Sequence, residues 1–161
     1  MAMGFASKPF APKRINNPYF KFAGVGVFFL TVIEGCMRGF LLVGVGGFMG
    51  SVTRYLVSGW VHRILDNPWF PYGTLVVNVT GSLTIGFLAG LAETRSLFSS
   101  EARLFVFIGI LGGFTTFSSF SLETFTLVRN SQTFAALANV ACQLILGFLG
   151  VWAGNLLARL I

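Results

Sequence analysis

The sequence predicts an all-α membrane protein with four transmembrane helices, the third of which is broken. Three observations carry this prediction. The chain of 161 residues is 55% hydrophobic and only 10% charged, with a mean hydropathy of +0.80. Four apolar windows are each long enough to cross a bilayer, which takes about 20 apolar residues in a helix. The third window has glycines and hydroxyl side chains at its centre, where lipid offers the backbone no other hydrogen-bond partner.

The four predicted spans follow one another closely. They cover residues 39–61, 72–92, 104–128 and 134–158, and short polar segments separate them. No segment between them is long enough for a soluble domain, and no internal repeat of fixed period is visible.

Residues 1–36 are predicted to be an extension ahead of a four-helix membrane domain, 37–161. Residues 1–21 are polar and basic and contain three prolines, a composition typical of disordered or surface-lying segments. Residues 22–33 are apolar but only 12 in number, which is short for a span and closer to an interfacial or signal-like segment. A fifth, partial membrane helix is the alternative.

Every predicted span carries a pair of glycines four residues apart. Such pairs let helix backbones approach closely in lipid, so they predict a compact bundle. The pairs are Gly46 and Gly50, Gly86 and Gly90, Gly109 and Gly113, and Gly150 and Gly154.

Composition argues against an enzyme and against a nucleic-acid-binding protein. The net charge is +6, but the basic residues are scattered at segment ends, as is typical of charge at a membrane surface. The chain has two cysteines and a single histidine, His62, at a predicted helix end. No metal-ligand spacing, Ser-His-Asp set or Cys-His set can be assembled from these residues.

The arginines at the span ends are distributed four against two between the faces of the membrane. Such a weak bias under the positive-inside rule allows insertion in both orientations, and two opposite copies would form an inverted homodimer. The four basic residues of the extension work against this, and the conflict stays open. One face has Arg38, Arg95, Arg103 and Arg159, and the other has Arg63 and Arg129.

The run 109–123 in the third span indicates an ion or substrate site. Gly112 and Gly113 weaken a helix at this place, and hydroxyls and phenylalanines follow them. Non-helical backbone at membrane depth survives only where it is buried in protein or lines a polar cavity, as in the discontinuous helices of transporters. A glycine-rich packing face between helices is the alternative.

Polar and aromatic stripes flank this run. Thr74, Asn78 and Ser82 recur every four residues, and the Asn78 amide offers two donor protons. Phe117 and Phe120 share a helix face, and the positive edges of their rings are suited to contact a small anion. Hydrogen bonding between helices and plain packing are the alternatives. The hydroxyls interleaved with the rings are those of Ser118, Ser119 and Ser121.

Two charged residues lie inside predicted spans. Arg54 and Glu123 are each near the end of a helix, so a structural role and a functional role carry equal weight.

These motifs resemble the Fluc/CrcB family of fluoride channels. The resemblance covers the chain from about Phe40 to the end. It is carried by GGFMG at 46–50, NVTGS at 78–82 and GGFTTFSSFSLE at 112–123, in this order.

The resemblance implies a passive fluoride-selective channel that exports cytoplasmic fluoride and protects the cell from it. It implies a multi-pass protein of the inner (plasma) membrane, assembled as a dual-topology homodimer. It further implies a structural sodium ion at the dimer axis, held by backbone carbonyls of Gly112 and Thr115. The fluoride path that it implies is lined by Thr74, Asn78, Phe117, Ser118, Ser119, Phe120 and Gln143.

The fourth span departs from the family pattern. Where family members often have a tyrosine and then a serine, this chain has Asn139 and Gln143. Both side chains can form hydrogen bonds, but as amides.

Two other functions compete with the channel. A small four-helix coupled exporter of drugs or cations has a similar size, but it requires a central acidic residue in its first helix, where this chain has Arg54. Glu34 lies outside that helix. A non-transporting membrane assembly subunit is compatible with the glycine pairs alone. Measuring fluoride efflux from liposomes would distinguish the channel, the exporter and the assembly subunit.

Overall fold

The computed structural model describes residues 18–66, 68–95 and 98–161, with side chains from Gly35 onward. Within these residues every regular element is helical. The elements are α1 (Pro18–Ile64), α2 (Tyr72–Arg95), α3 (Ser100–Arg103), a π-helix (Leu104–Leu111), α4 (Gly112–Phe114), α5 (Phe117–Arg129) and α6 (Thr133–Leu160).

Four helices are long and apolar enough to cross a membrane, which confirms the four predicted spans. The third of them is the series that runs from α3 to α5 and is bent between α4 and α5. Apart from the start of α1, the helices extend a few residues past the predicted limits, because arginine has a good helix propensity although it is not apolar. The spans are Gly35–Ile64, Tyr72–Arg95, Ser100–Arg129 and Thr133–Leu160.

The backbone of α1 is already helical at Pro18. Proline is well suited to the first position of a helix, because the N–H it lacks would have no intrahelical partner there. Residues 1–17 of the predicted extension lie outside the described residues, and the interfacial position of 22–33 stays a prediction. The chain divides into two units at Arg38, and the account that follows concerns residues 38–161.

A first glycine seam joins α1 to the third span. A Cβ placed on Gly46 would lie 2.6 Å from the carbonyl oxygen of Phe105. A Cβ on Gly113 would lie 2.5 Å from the carbonyl oxygen of Gly47. The two backbones are therefore in direct contact, and a side chain at either glycine would force them apart.

A second glycine seam joins α2 to α6. A Cβ on Gly86 would run into the carbonyl oxygen of Val151, and one on Gly154 would run into that of Leu83. Together the two seams involve all four glycine pairs, so the predicted close packing is confirmed.

The predicted break in the third span is confirmed, but it lies three residues later than the glycines suggested. Thr115 (φ −77°, ψ 156°) and Thr116 (φ −150°, ψ 120°) are extended, whereas Gly112 and Gly113 belong to α4. The glycines are explained by packing instead, since Gly113 lies against the backbone of Gly47.

A tight turn at Ser131 makes α5 and α6 antiparallel neighbours. Ser131 has a left-handed φ of 60°, and the backbone N–H of Gln132 donates to the carbonyl of Leu127 at 2.9 Å. This is the bond that ends a helix when the next residues turn back. Leu127, Ala135 and Ala136 are buried together beside this turn.

Candidate functional site

Asn78 of α2 closes the break in the third span. The N–H of Thr116 donates to Asn78 Oδ1 at 2.8 Å, and Asn78 Nδ2 donates to the Thr116 carbonyl at 3.0 Å. The side chain thereby satisfies the Thr116 N–H, which the break removes from helical hydrogen bonding, and gives a second hydrogen bond to the N-cap carbonyl of α5. At membrane depth this is required, because lipid supplies neither donors nor acceptors.

Thr116 also starts the helix that follows. It is the N-cap of α5, and its Oγ1 accepts from the N–H of Ser119 at 3.3 Å. Threonine is a preferred N-cap because its oxygen pairs with one of the free N–H groups of the first turn. The Oγ atoms of Ser118 and Ser119 lie 3.4 and 3.1 Å from the same hydroxyl.

The break changes the bonding of the backbone carbonyls that precede it. In a continuous helix the N–H of Thr116 would bond to the carbonyl of Gly112. Because this N–H donates to Asn78 instead, the Gly112 carbonyl loses its helical partner. The Thr115 carbonyl accepts a long hydrogen bond of 3.4 Å from Arg54 Nη1.

A cavity of about 410 Å³, cavity A, lies on one side of the break. It brings together four of the residues predicted to line the ion path and both residues predicted to hold sodium. These are Asn78, Phe117, Phe120 and Gln143, and Gly112 and Thr115.

The walls of cavity A combine ring edges and amides. The rings of Phe117 and Phe120 lie 5.5 Å apart and are inclined at 62°, so the edge of one approaches the other. Phe117 is 77% exposed on the single chain. Gln143 Oε1 accepts from Asn78 Nδ2 at 3.1 Å, which joins the amides of α6 and α2.

A second cavity of about 400 Å³, cavity B, is lined by charged and hydroxyl side chains. Thr74 Oγ1 donates to Glu123 Oε1 at 2.6 Å within it. Thr116 lines both cavities, so they meet at the break. The polar residues that line cavity B include Ser51, Arg54, Ser58, His62, Thr74, Ser119 and Glu123.

The predicted path residues are thus divided between two cavities. Asn78 lines cavity A, and Thr74, one turn earlier on α2, lines cavity B. Ser118 lies beside Thr116 but is in the lining of neither. Asn139 also lines neither cavity, and it is fully buried with its Nδ2 donating to Thr124 Oγ1 at 2.9 Å.

Sequence reasoning missed the central position of Thr116 and the place of His62 in cavity B. The role of Thr116 depends on a contact with α2 that no local pattern reveals. A signal for His62 does exist. Ser51, Arg54, Ser58 and His62 recur at the helical spacings i, i+3, i+7 and i+11, which put them on one face of α1.

Backbone oxygens are the groups in this site that could hold a cation. Among the described residues, no three His, Cys, Asp or Glu side chains form a group that could bind a metal ion. The Gly112 carbonyl, freed by the break, is a hard oxygen donor of the kind used in backbone ion sites. The Thr115 carbonyl is a second one, shared with Arg54.

The family model that matches this chain and its curated relatives agree with one another. The family model "CrcB-like protein, Camphor Resistance (CrcB)" matches residues 41–155. The "Fluoride-specific ion channel FluC" of Rhizobium meliloti (strain 1021) is 48% identical over 76% of this chain and 98% of that protein. The "Fluoride-specific ion channel FluC" of Geobacter sulfurreducens is 45% identical over 76% and 98%. The "Fluoride-specific ion channel FluC 1" of Methanosarcina acetivorans is 43% identical over 73% and 88%.

Proposed function

This chain belongs to the CrcB-like family, and we propose that it is a passive fluoride-selective channel that carries cytoplasmic fluoride out of the cell. One structural observation supports this most strongly. A transmembrane segment is broken at Thr115 and Thr116, and a cavity lies on each side of the break. The chain is then a multi-pass membrane protein and not an enzyme.

The chemistry of the two cavities suits a small, strongly hydrated anion. Stripping water from fluoride requires donors that replace the lost hydrogen bonds, and amide N–H groups and ring edges are such donors. A narrow passage rejects the larger chloride ion by size. Neutral hydrofluoric acid enters cells, dissociates and leaves fluoride trapped as the anion. A passive exit path is therefore sufficient, without ATP.

The proposed path uses residues of both cavities. Phe117, Phe120, Asn78 and Gln143 line it in cavity A. Thr74 and Ser119 line it in cavity B, and Ser118 lies beside the break between them. Arg54 and Glu123 hold the structure of cavity B through the Thr115 carbonyl and the Thr74 hydroxyl.

A structural sodium ion is the proposed cofactor. The carbonyls of Gly112 and Thr115 fit such an ion, because both are hard oxygen donors at a break in a helix. Gly112 is exposed on the single chain, so its carbonyl can be shared with a second subunit. Two chains would together supply about four oxygens, which is why the ion belongs at a dimer axis.

The proposed assembly is an inverted homodimer. Phe117 supports it, since an aromatic side chain next to the break is 77% exposed on one chain. The weak four-to-two arginine asymmetry supports insertion in both orientations.

Fluoride efflux from liposomes tests the function. Vesicles loaded with fluoride and containing the purified full chain are expected to release fluoride far faster than vesicles loaded with chloride release chloride, without ATP or a proton gradient. An exporter would need a gradient and an assembly subunit would release nothing. Release no faster than the protein-free leak contradicts the channel.

Labelling of an introduced cysteine tests the assembly. After Cys36 and Cys142 are replaced, a cysteine next to Arg159 is expected to react with an impermeant reagent from both sides of the membrane, half from each. Labelling from one side alone, with full activity, excludes the inverted dimer and leaves the channel function intact.

A further inference from the structure

A third cavity of about 520 Å³, cavity C, lies between the end of α2 and the beginning of the third span. It shares Phe107 with cavity A and no residue with cavity B. Glu93 belongs to the last turn of α2, and Ser100 is the first residue of α3. Both helix ends are ends of membrane spans, so the mouth of cavity C lies at the boundary between membrane and water.

The lining of cavity C is polar at the membrane surface and apolar toward the membrane interior. Glu93 and Arg103 are exposed at the span ends. Ala89 and Phe107 each lie four residues deeper in the same spans, and Ile108, which is 57% exposed, lies five residues deeper than Arg103. The apolar residues that line it are Ala89, Ala92, Leu104, Phe107 and Ile108. This order of polarity matches that of a phospholipid, whose headgroup lies in water and whose acyl chains lie in hydrocarbon.

The two opposite charges at the mouth of cavity C are not joined to each other. Within the described part of the chain, the one ion pair is between Arg38 and Glu101, at 3.7 Å. Glu93 and Arg103 line the same cavity but are too far apart to form such a pair. An occupant with a cationic group near Glu93 and an anionic group near Arg103 would complement both charges.

We propose that cavity C binds phosphatidylethanolamine, a phospholipid whose headgroup has a phosphate and a primary ammonium. The Arg103 guanidinium donates to the phosphate, which it can contact with two N–H groups at once. The Glu93 carboxylate accepts from the ammonium, and an acyl chain lies along Ala89, Phe107 and Ile108. The proposal goes beyond the channel function and requires only that the spans cross a membrane.

Two related lipids lack one half of this match. The trimethylammonium of phosphatidylcholine has no N–H to donate to Glu93. Phosphatidylglycerol has a phosphate for Arg103 but no cation for Glu93. Both lipids can have the same acyl chains as phosphatidylethanolamine, so a difference in their binding reports on the headgroup alone.

Native mass spectrometry of the purified full chain with each of the three lipids tests the site. Phosphatidylethanolamine is expected to bind about tenfold more tightly than the other two, as expected for one added hydrogen bond to a charged partner. Equal retention of the three lipids overturns the proposal. Displacement of the lipid by an equal concentration of glycerophosphoethanolamine, which has the same headgroup without acyl chains, also overturns it and assigns a soluble ligand instead.

Charge variants at the mouth test the two headgroup contacts separately. Glu93→Gln is expected to abolish the preference for phosphatidylethanolamine over phosphatidylcholine, whereas Arg103→Gln weakens the binding of all three lipids. Glu93→Lys is expected to reverse the preference toward phosphatidylglycerol, because two cations then face the headgroup. A reversal requires contact with the headgroup, since a purely structural role of Glu93 would not produce it.

Glu101→Gln and Arg159→Gln are the matched controls, because they remove the same charges at span ends outside cavity C. Both are expected to keep the preference of the unchanged chain for phosphatidylethanolamine. A preference that survives Glu93→Gln and Glu93→Lys in folded protein overturns the proposal.

A second copy of the chain is the competing occupant of cavity C, and the same spectra detect it. If a second copy covers the cavity, Glu93→Gln and Arg103→Gln lower the fraction of dimer and the unchanged chain shows no headgroup preference. That result overturns the lipid site. Lipid binding is measured without ion transport, so a chain that conducts no fluoride overturns the proposed function and leaves this test unaffected.

Discussion

Cavity A and cavity B meet at Thr116, yet their walls differ in charge. Cavity B contains Arg54, His62 and Glu123, whereas cavity A is lined by uncharged residues with amide, hydroxyl, phenyl and aliphatic side chains and by glycines. An ion path has to bind its ion well enough to admit it and weakly enough to release it. In the proposed path, Arg54 would attract the anion in cavity B, and neutral donors would replace its water in cavity A.

A negative charge at position 78 is expected to lower fluoride flux more than any of the changes that follow. Asn78→Asp keeps the acceptor for the Thr116 N–H but places a second oxygen against the Thr116 carbonyl and Gln143 Oε1. It also adds a negative charge to an anion path. We expect liposomal fluoride flux to fall about a hundredfold or more, by analogy with buried charges left unpaired.

Asn155→Asp is the control for that variant, since it makes the same change near the end of α6 and outside both cavities. Flux of the Asn78→Asp protein within a few-fold of the unchanged chain would mean that cavity A does not carry the ion.

Removing the ring edges is expected to have the next largest effect. Phe117→Ile or Phe120→Ile keeps an apolar side chain but removes the positive edge, so flux is expected to fall about tenfold. Phe148→Ile is a matched control, because Phe148 and Phe117 are both 77% exposed and Phe148 lies outside both cavities. Equal flux in all three proteins, measured with a fluoride electrode, would show that the rings of Phe117 and Phe120 contribute only to packing.

Replacing one glycine by alanine in each cavity compares the two cavities directly. A Cβ on Gly81, in cavity A, would run into the Thr115 side chain, whereas a Cβ on Gly59, in cavity B, would meet open space. We expect Gly81→Ala to lower flux several-fold and Gly59→Ala to change it by less than about twofold. The reverse order would show that cavity B contains the narrow part of the path.

Thr115→Ser is expected to have the smallest effect. The serine hydroxyl can still donate to the Leu111 carbonyl, as Thr115 Oγ1 does at 2.9 Å, and the backbone carbonyl is unchanged. Dimer stability of this variant is therefore expected to depend on sodium concentration as it does in the unchanged chain. A lost sodium dependence in the variant would indicate that the side chain holds the ion. Complete indifference of both proteins to replacement of sodium would contradict a required ion.

Most of the architecture could be predicted from hydropathy, because a helix that crosses lipid needs about 20 apolar residues whatever its neighbours are. The glycine pairs predicted close packing, since only small residues let two helix backbones approach closely in lipid. The position of the break could not be predicted from Gly112 and Gly113. Helix propensity is a weak local term, and contact of Gly113 with the backbone of Gly47 keeps these residues helical.

The structure brings some of the predicted site residues together, and their role in an ion path stays a prediction. Asn78, Phe117, Phe120 and Gln143 do line one cavity. Thr74 has the same periodicity as Asn78 but lines the other cavity, because the broken backbone at Thr116 passes between them. Periodicity identifies the face of a helix, but it does not reveal which neighbouring segment divides that face.

The reciprocal pair between Asn78 and Thr116 has a consequence for biosynthesis. The third span carries an unsatisfied backbone N–H at Thr116 until the side chain of α2 meets it. Leaving such a group in hydrocarbon costs several kcal/mol, so the third span is poorly suited to enter lipid as an isolated segment. It becomes a stable membrane helix only once α2 is beside it. The two spans are therefore expected to leave the insertion machinery as a pair.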